Sequence, residues 1–205
     1  MVFATFGAFR ALRRALLTAT AAGTLACLTG QALAQGAPKV KFITSEGDFV
    51  VEVYPDKAPK TVENFLQYVK DKHYDGTIFH RVINNFMVQG GGYDSAYAEK
   101  KTRAPVVHEG REALAKGGPK NIVATLAMAR TNDPNSASSQ FFINVKDNDF
   151  LNPSTQAPGY TVFGKVVIGM DVVNKIKTVP TGAGGPFPSD VPKTPVVIKS
   201  ATLVN

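Results

Sequence analysis

The runs Phe79-His80-Arg81-Val82-Ile83 and Met87-Val88-Gln89-Gly90-Gly91 read as two short strands joined by a tight turn, and they set one cation and one carboxamide among large apolar side chains. Further along, Ser138-Ser139-Gln140-Phe141-Phe142-Ile143 repeats the combination on another strand-like run. Residues i and i+2 of a strand share a face, so Met87 points with Gln89, Gln140 with Phe142, and Arg81 with Phe79 and Ile83. If these faces turn the same way, a guanidinium and two carboxamides ring an apolar hollow of Phe86, Met87 and Phe142. The chemistry such a groove can do is noncovalent: hydrogen bonds around a group seated in an apolar hollow. The alternative is that Arg81 pairs with a nearby carboxylate and the phenylalanines are ordinary core. Patterning leaves both readings open, although burying an unpaired cation beside Phe79 and Ile83 is costly.

Other chemistries lack their residues. His73, His80 and His108 are the only histidines and none stands in an H-E-x-x-H pattern or beside a cysteine, which argues against a metal centre. Ser136, Ser138 and Ser139 lack the turn that exposes a nucleophilic serine and follow Asn132-Asp133-Pro134-Asn135, a turn sequence. Gly90-Gly91-Gly92 is not followed by the lysine and helix of a phosphate-binding loop, and reads as a place for a sharp turn or a close approach. No cofactor is expected.

The elements that must position the groove follow from periodicity. Lys39–Thr44 and Phe49–Tyr54 form two antiparallel strands across the Ser45-Glu46-Gly47-Asp48 loop. Pro59-Lys60-Thr61 opens a helix whose Val62, Phe65, Leu66 and Val69 make one buried face. Tyr93 to Lys120 reads as a long loop with a short extended piece at Val106-Val107-His108-Glu109. Ile122–Ala129, Gln140–Val145 and Tyr160–Lys165 are further strands, Met170–Lys177 a second helix, Val179–Pro195 an extended surface loop and Val196–Val204 the last strand. Many short strands with two helices argue for a mainly β domain: a closed antiparallel barrel with helices over its ends, since closure removes exposed edges.

Residues 1–34 have the layout of a cleavable export signal. Arg10, Arg13 and Arg14 precede the apolar stretch Ala15–Ala32, and Ala32-Leu33-Ala34 ends it as a cleavage site leaving Gln35 first. An uncleaved membrane anchor is the alternative, weakened by Thr18, Thr20, Thr24, Thr29 and Gln31. Arg13-Arg14 and Leu25-Ala26-Cys27 match twin-arginine and lipoprotein signals poorly, so the export route stays open. The mature chain, residues 35–205, fits a single domain without cysteine, since Cys27 leaves with the signal. Loss of three arginines brings the net charge from +7 to +4, with no basic cluster that would suggest nucleic acid. No amphipathic stripe is left over for a partner, which suggests a monomer.

Phe79-His80-Arg81-Val82-Ile83, Phe86-Met87-Val88-Gln89-Gly90-Gly91, Met128-Ala129, Ser139-Gln140-Phe141-Phe142-Ile143 and Val162-Phe163-Gly164-Lys165-Val166 resemble the cyclophilins, peptidyl-prolyl cis-trans isomerases, over Val40–Val204. Ala127-Met128-Ala129-Arg130-Thr131 and Asp147-Asn148-Asp149-Phe150-Leu151 are in the style of the periplasmic cyclophilins of Gram-negative bacteria. The resemblance implies an eight-stranded cyclophilin-like barrel in the periplasm, acting on proline-containing peptides and unfolded exported proteins. It implies Arg81, Phe86, Gln89 and Phe142 as catalytic and Met87, Ala129, Arg130, Gln140, Phe150, Leu151 and Tyr160 as substrate-binding. Phe150 stands where the better-known eukaryotic members have tryptophan and Tyr160 where they have histidine, which implies weak cyclosporin binding. Asn84-Asn85 replaces a proline-glycine turn, and asparagine tolerates turn conformations.

Rotation about an X-Pro bond breaks no covalent bond, so the chemistry requires no nucleophile, metal or cofactor. In the twisted state the prolyl nitrogen regains its lone pair, to which Arg81 can donate. A barrel that captures proline segments without turnover is the rival reading. A donor aimed at the twisted nitrogen has no use in a pure binder.

Overall fold

The computed structural model describes residues 36–204, so the export-signal reading of residues 1–34 lies outside the described residues. Strand β1 (Lys39–Thr44) and β2 (Asp48–Val53) pair antiparallel with Lys39 opposite Glu52, and every second residue of each, including Val40, Phe42, Phe49, Val51 and Val53, is buried. Helix α1 (Pro59–Lys70) starts with proline at its first turn, where the missing N–H is harmless, and buries Val62, Phe65, Tyr68 and Val69. Its N-cap, Ala58, has no side chain to bond the free N–H groups. A distant residue does this instead: the buried Glu109 carboxylate accepts from Lys60 N (3.1 Å), Thr61 N (2.7 Å) and Thr61 Oγ1 (2.7 Å).

The chain continues through β3 (Arg81–Ile83), β4 (Met87–Gly90), α2 (Gly110–Ala115), β5 (Thr125–Met128), β6 (Phe141–Asn144), β7 (Val162–Ile168), α3 (Met170–Ile176), β8 (Thr181–Gly184), β9 (Phe187–Pro192) and β10 (Ile198–Val204). Eight strands form one antiparallel sheet in the order β10-β1-β2-β7-β5-β6-β4-β3. The sheet curls until its end strands approach, yet the segments before β3 and β10 share a single bridge, Ile78–Val197, with a few flanking hydrogen bonds such as Ile198 N to Thr77 O and Phe79 N to Val196 O, and no continuous ladder. The structure is therefore a curled sheet, a half-barrel, and the closure expected from the sequence is overstated. Its concave side holds an aromatic core in which Phe42 stacks on Phe49 (5.0 Å between centroids) and Phe65 packs against Phe163 (5.0 Å).

Three expectations shift. Both expected helices form, and a third, α2, lies in the stretch read as loop; six residues are too few to display a helical period. The segment Val179–Pro195, read as extended loop, contains the hairpin β8–β9, whose turn has Gly185 at φ +53°. Proline and glycine hid it, but in a two-stranded ribbon every position is an edge that tolerates them. Strand β5 begins at Thr125, later than expected, because Ala124 sits at φ +71° and Ile122 and Val123 stay exposed.

Candidate active site

The convex side of the sheet carries a second, smaller apolar cluster of Met87, Ala127, Phe142, Leu151 and Val162, with Ile83, Phe86, Ala129 and Tyr160 packed partly over it. Strand register builds it. Arg81 lies opposite Gln89, Gln89 opposite Phe142, Phe142 opposite Ala127 and Ala127 opposite Val162, so one row crosses five strands. Alternate residues Val82, Val88, Ile143 and Leu126 form the neighbouring row and face the main core. From the outer face Arg81, Phe86, Met87, Gln89, Ala129, Phe142, Leu151 and Tyr160 line a groove of about 320 Å³, joined by Gln140 and Arg130.

Arg81 stands at the polar end of this row, exposed. Among the described residues it makes no ion pair, so the reading in which it neutralises a carboxylate fails. Nor does it share a face with Phe79. Regular strand begins only at Arg81; Phe79 donates its N–H to Val196 O (2.9 Å) and turns its ring into the main core against Phe49 and Phe141. The burial cost expected for Arg81 therefore does not arise.

Gln89 Nε2 donates to Gln140 Oε1 at 3.0 Å, coupling the two carboxamides across the groove. Gly92 makes room for Gln140, since a Cβ at Gly92 would lie 2.5 Å from Gln140 Cγ. The turn carrying Phe86 has Asn85 at φ +59°, a conformation that asparagine adopts with little strain. Phe86 stacks on Phe150 (5.7 Å, 23°), and Phe150, 73% exposed, stands at the rim outside the hollow. On the other flank Tyr160 meets Phe142 edge-on (5.5 Å, 82°) with the Arg130 guanidinium 4.5 Å above its ring. That guanidinium is occupied, donating twice to Gly159 O and once to Thr131 O, so the Arg130 side chain braces Tyr160. Ala129 N is spent on Gln140 O, whereas the Arg130 backbone N–H and C=O make no hydrogen bond among the described residues and can meet an extended chain.

A buried amide network lies beneath the groove. Asn148 Nδ2 donates to Phe86 O (3.0 Å) and Asn144 Oδ1 (2.8 Å), Asn144 Nδ2 to Asn121 Oδ1 and Thr125 Oγ1, and Asn121 Nδ2 to Leu151 O. It ties both walls of the hollow to one set of hydrogen bonds. Asn148→Ala leaves buried partners unsatisfied and is expected to destabilise the fold by about 2 kcal/mol, measured by urea unfolding, while loosening the Phe86 turn.

The groove also includes residues that the sequence reading left unassigned: His80, Tyr93 and Phe187. His80 is buried between two rings, stacked on Phe187 and edge-on to Tyr93, and its Nδ1 completes no hydrogen bond. Burial lowers its pKa to about 4, opposed by the nearby Ile78 backbone and reinforced by the Arg81 charge. The unfolded chain takes up a proton near pH 6.5 that the fold refuses until about pH 4. Stability present above pH 6.5 is thus lost on descending through that window, by up to about 3 kcal/mol. His73 and His108, also lowered mainly by burial, act in the same direction. Replacing His80 by Phe should flatten this part of the acid loss, checked by unfolding both proteins at pH 7 and pH 4.5. Among the described residues no group of three or more His, Cys, Asp or Glu is placed to hold a metal ion.

Comparison with known proteins decides what this groove belongs to. The family model of cyclophilin type peptidyl-prolyl cis-trans isomerases matches residues 39–203. The chain belongs to the cyclophilins. It is 53% identical over 167 residues to peptidyl-prolyl cis-trans isomerase B of Escherichia coli, covering 80% of this chain and 98% of the relative. It is 54% identical over 168 residues to the isomerase cyp18 of Streptomyces antibioticus, with the same coverage. Among solved structures a cyclophilin type isomerase of Cryptosporidium parvum superposes with a TM-score of 0.65 at 26% identity, covering 82% of this chain and 98% of the other; a second crystal structure of that protein was obtained in the presence of the dipeptide Ala-Pro. This cyclophilin is a peptidyl-prolyl cis-trans isomerase.

Proposed function

We propose that Arg81 is the hydrogen-bond donor to the prolyl nitrogen in the twisted state, and that the substrates are proline-containing segments of unfolded exported proteins in the periplasm. The observation that supports the role is a guanidinium without an ion pair among the described residues, at the end of a strand row that leads directly to an apolar hollow. Phe86, Met87, Phe142 and Leu151 seat the proline ring and exclude water from its amide. Gln89, Gln140 and the Arg130 backbone hold the flanking chain.

Magnitudes require this division. The uncatalysed barrier is about 18–20 kcal/mol, and an acceleration of about 10⁵ needs roughly 7 kcal/mol removed. One charge-assisted hydrogen bond contributes about 1.5–3 kcal/mol, so restraint of the chain on both sides of the bond supplies the remainder. Exchange measurements on a short X-Pro peptide test the mechanism: faster cis-trans exchange is expected, and binding without faster exchange would favour the capture module.

The destination rests on residues 1–34, whose charge, apolar stretch and Ala32-Leu33-Ala34 ending fit a cleaved signal. Fractionation followed by N-terminal sequencing should find a periplasmic protein starting at Gln35; a full-length chain in the membrane would refute it. The mature protein acts as a monomer in this reading. Cyclosporin binds weakly, because Phe150 offers no indole N–H and Tyr160 is braced by Arg130, and a direct titration with the drug checks this.

A further inference from the structure

The groove does not end at Arg81. Strand β9 packs against β3, the edge strand that carries Arg81, and delivers Phe187 to the groove wall beyond it. There Phe187 meets Tyr93 edge-on (5.0 Å, 88°) and stacks with His80 (5.3 Å, 29°), while His80 and Tyr93 lie 4.8 Å apart. Three rings in mutual contact thus form a second aromatic surface, separated from the proline hollow by Arg81 and Gln89. The position is held firmly. Phe187 pairs with Gly184 in the hairpin, and Gly184 and Gly185 press so closely on Tyr97 that neither has space for a Cβ. Tyr97 belongs to the short loop closed by the Tyr93–Glu99 bridge, so the same loop supplies Tyr93 and anchors the hairpin tip.

We propose that Phe187, with Tyr93 and His80, forms a specificity subsite for an aromatic or large apolar side chain flanking the substrate proline. This rests on the isomerase site described above and adds a substrate preference to it. Two strand widths, about 10 Å at roughly 4.8 Å per strand, separate Phe142 from Arg81, and β9 packs outside that edge without joining the sheet, which puts the subsite about 15 Å or more from Phe142. An extended peptide covers that in about four residues, and side chains reaching from both sides shorten it, so the selected residue lies about two to four positions from the proline.

The test uses the full mature chain and two series of short X-Pro peptides, carrying Phe or Gly at positions two, three or four residues before or after proline. For wild type, Phe187→Ala and Phe187→Tyr, kcat/KM is measured by cis-trans exchange and Kd by calorimetry. At one position the wild type should favour the Phe peptide over its Gly counterpart by about 3- to 10-fold, mainly through KM. Phe187→Tyr should keep that ratio and Phe187→Ala should bring it to about one. A ratio unchanged in Phe187→Ala, including an equal loss on both peptides, overturns the assignment, as does a wild-type ratio near one at every position. If the wild type accelerates exchange in neither series, the isomerase mechanism fails while the calorimetric ratios still decide the subsite.

Discussion

Arg81→Ala should lower kcat/KM for a short X-Pro peptide by roughly 10- to 150-fold, the equivalent of one charge-assisted hydrogen bond of about 1.5–3 kcal/mol. The loss should appear mainly in kcat, since a donor to the twisted nitrogen has little to bond in the planar ground state. Stability should change by less than about 0.5 kcal/mol, because Arg81 is exposed, makes no ion pair among the described residues and fills no packed space. Arg81→Lys should recover part of the rate: it keeps the charge but loses the planar fork of donors. Peptide exchange with Arg81→Ala within twofold of wild type would remove the assigned role. Residual activity is expected, because in the proposed mechanism Phe86, Met87, Phe142 and the two glutamines still restrain the chain.

The largest loss of stability is expected at Glu109, which does not line the groove. Its carboxylate satisfies three donors at the start of α1, at a helix whose own N-cap residue is alanine. Glu109→Ala strands the Thr61 N–H and hydroxyl in a buried position and removes a negative charge from the positive end of the helix. A destabilisation of about 3 kcal/mol follows, or roughly 6–12 °C in Tm for a domain of this size. Glu109→Gln should recover a fraction, since its amide oxygen can still accept one bond. Thermal unfolding measures both, and a Tm shift below about 2 °C for Glu109→Ala would show that water or a neighbour replaces the cap.

The groove was legible where covalent geometry decides it. Strand parity places Gln89 with Met87 and Gln140 with Phe142, and register then carries Arg81 into the same row without help from distant chain. Parity misled once, at Phe79, because two residues short of a strand the pleat is not yet in force. Leu151, Tyr160, Ala129 and Arg130 were reached through family resemblance, and the structure brings each to the groove, with Phe150 at its rim. The amide network beneath it was not legible. Asn121, Asn144 and Asn148 look like ordinary turn and strand-end residues until their two segments and the Phe86 turn converge on one buried spot.

By itself, then, the sequence determined the strand-rich composition, the openings of α1 and α3 and the local faces that line the groove, since these depend on the pleat, on proline geometry and on apolar spacing. Tertiary structure alone decided three things: that the sheet curls without a closing ladder, that Glu109 caps a helix it does not belong to, and that Phe187 reaches the far wall of the groove. Each depends on contacts between residues far apart in the chain, and no local period encodes which distant segments will pack together.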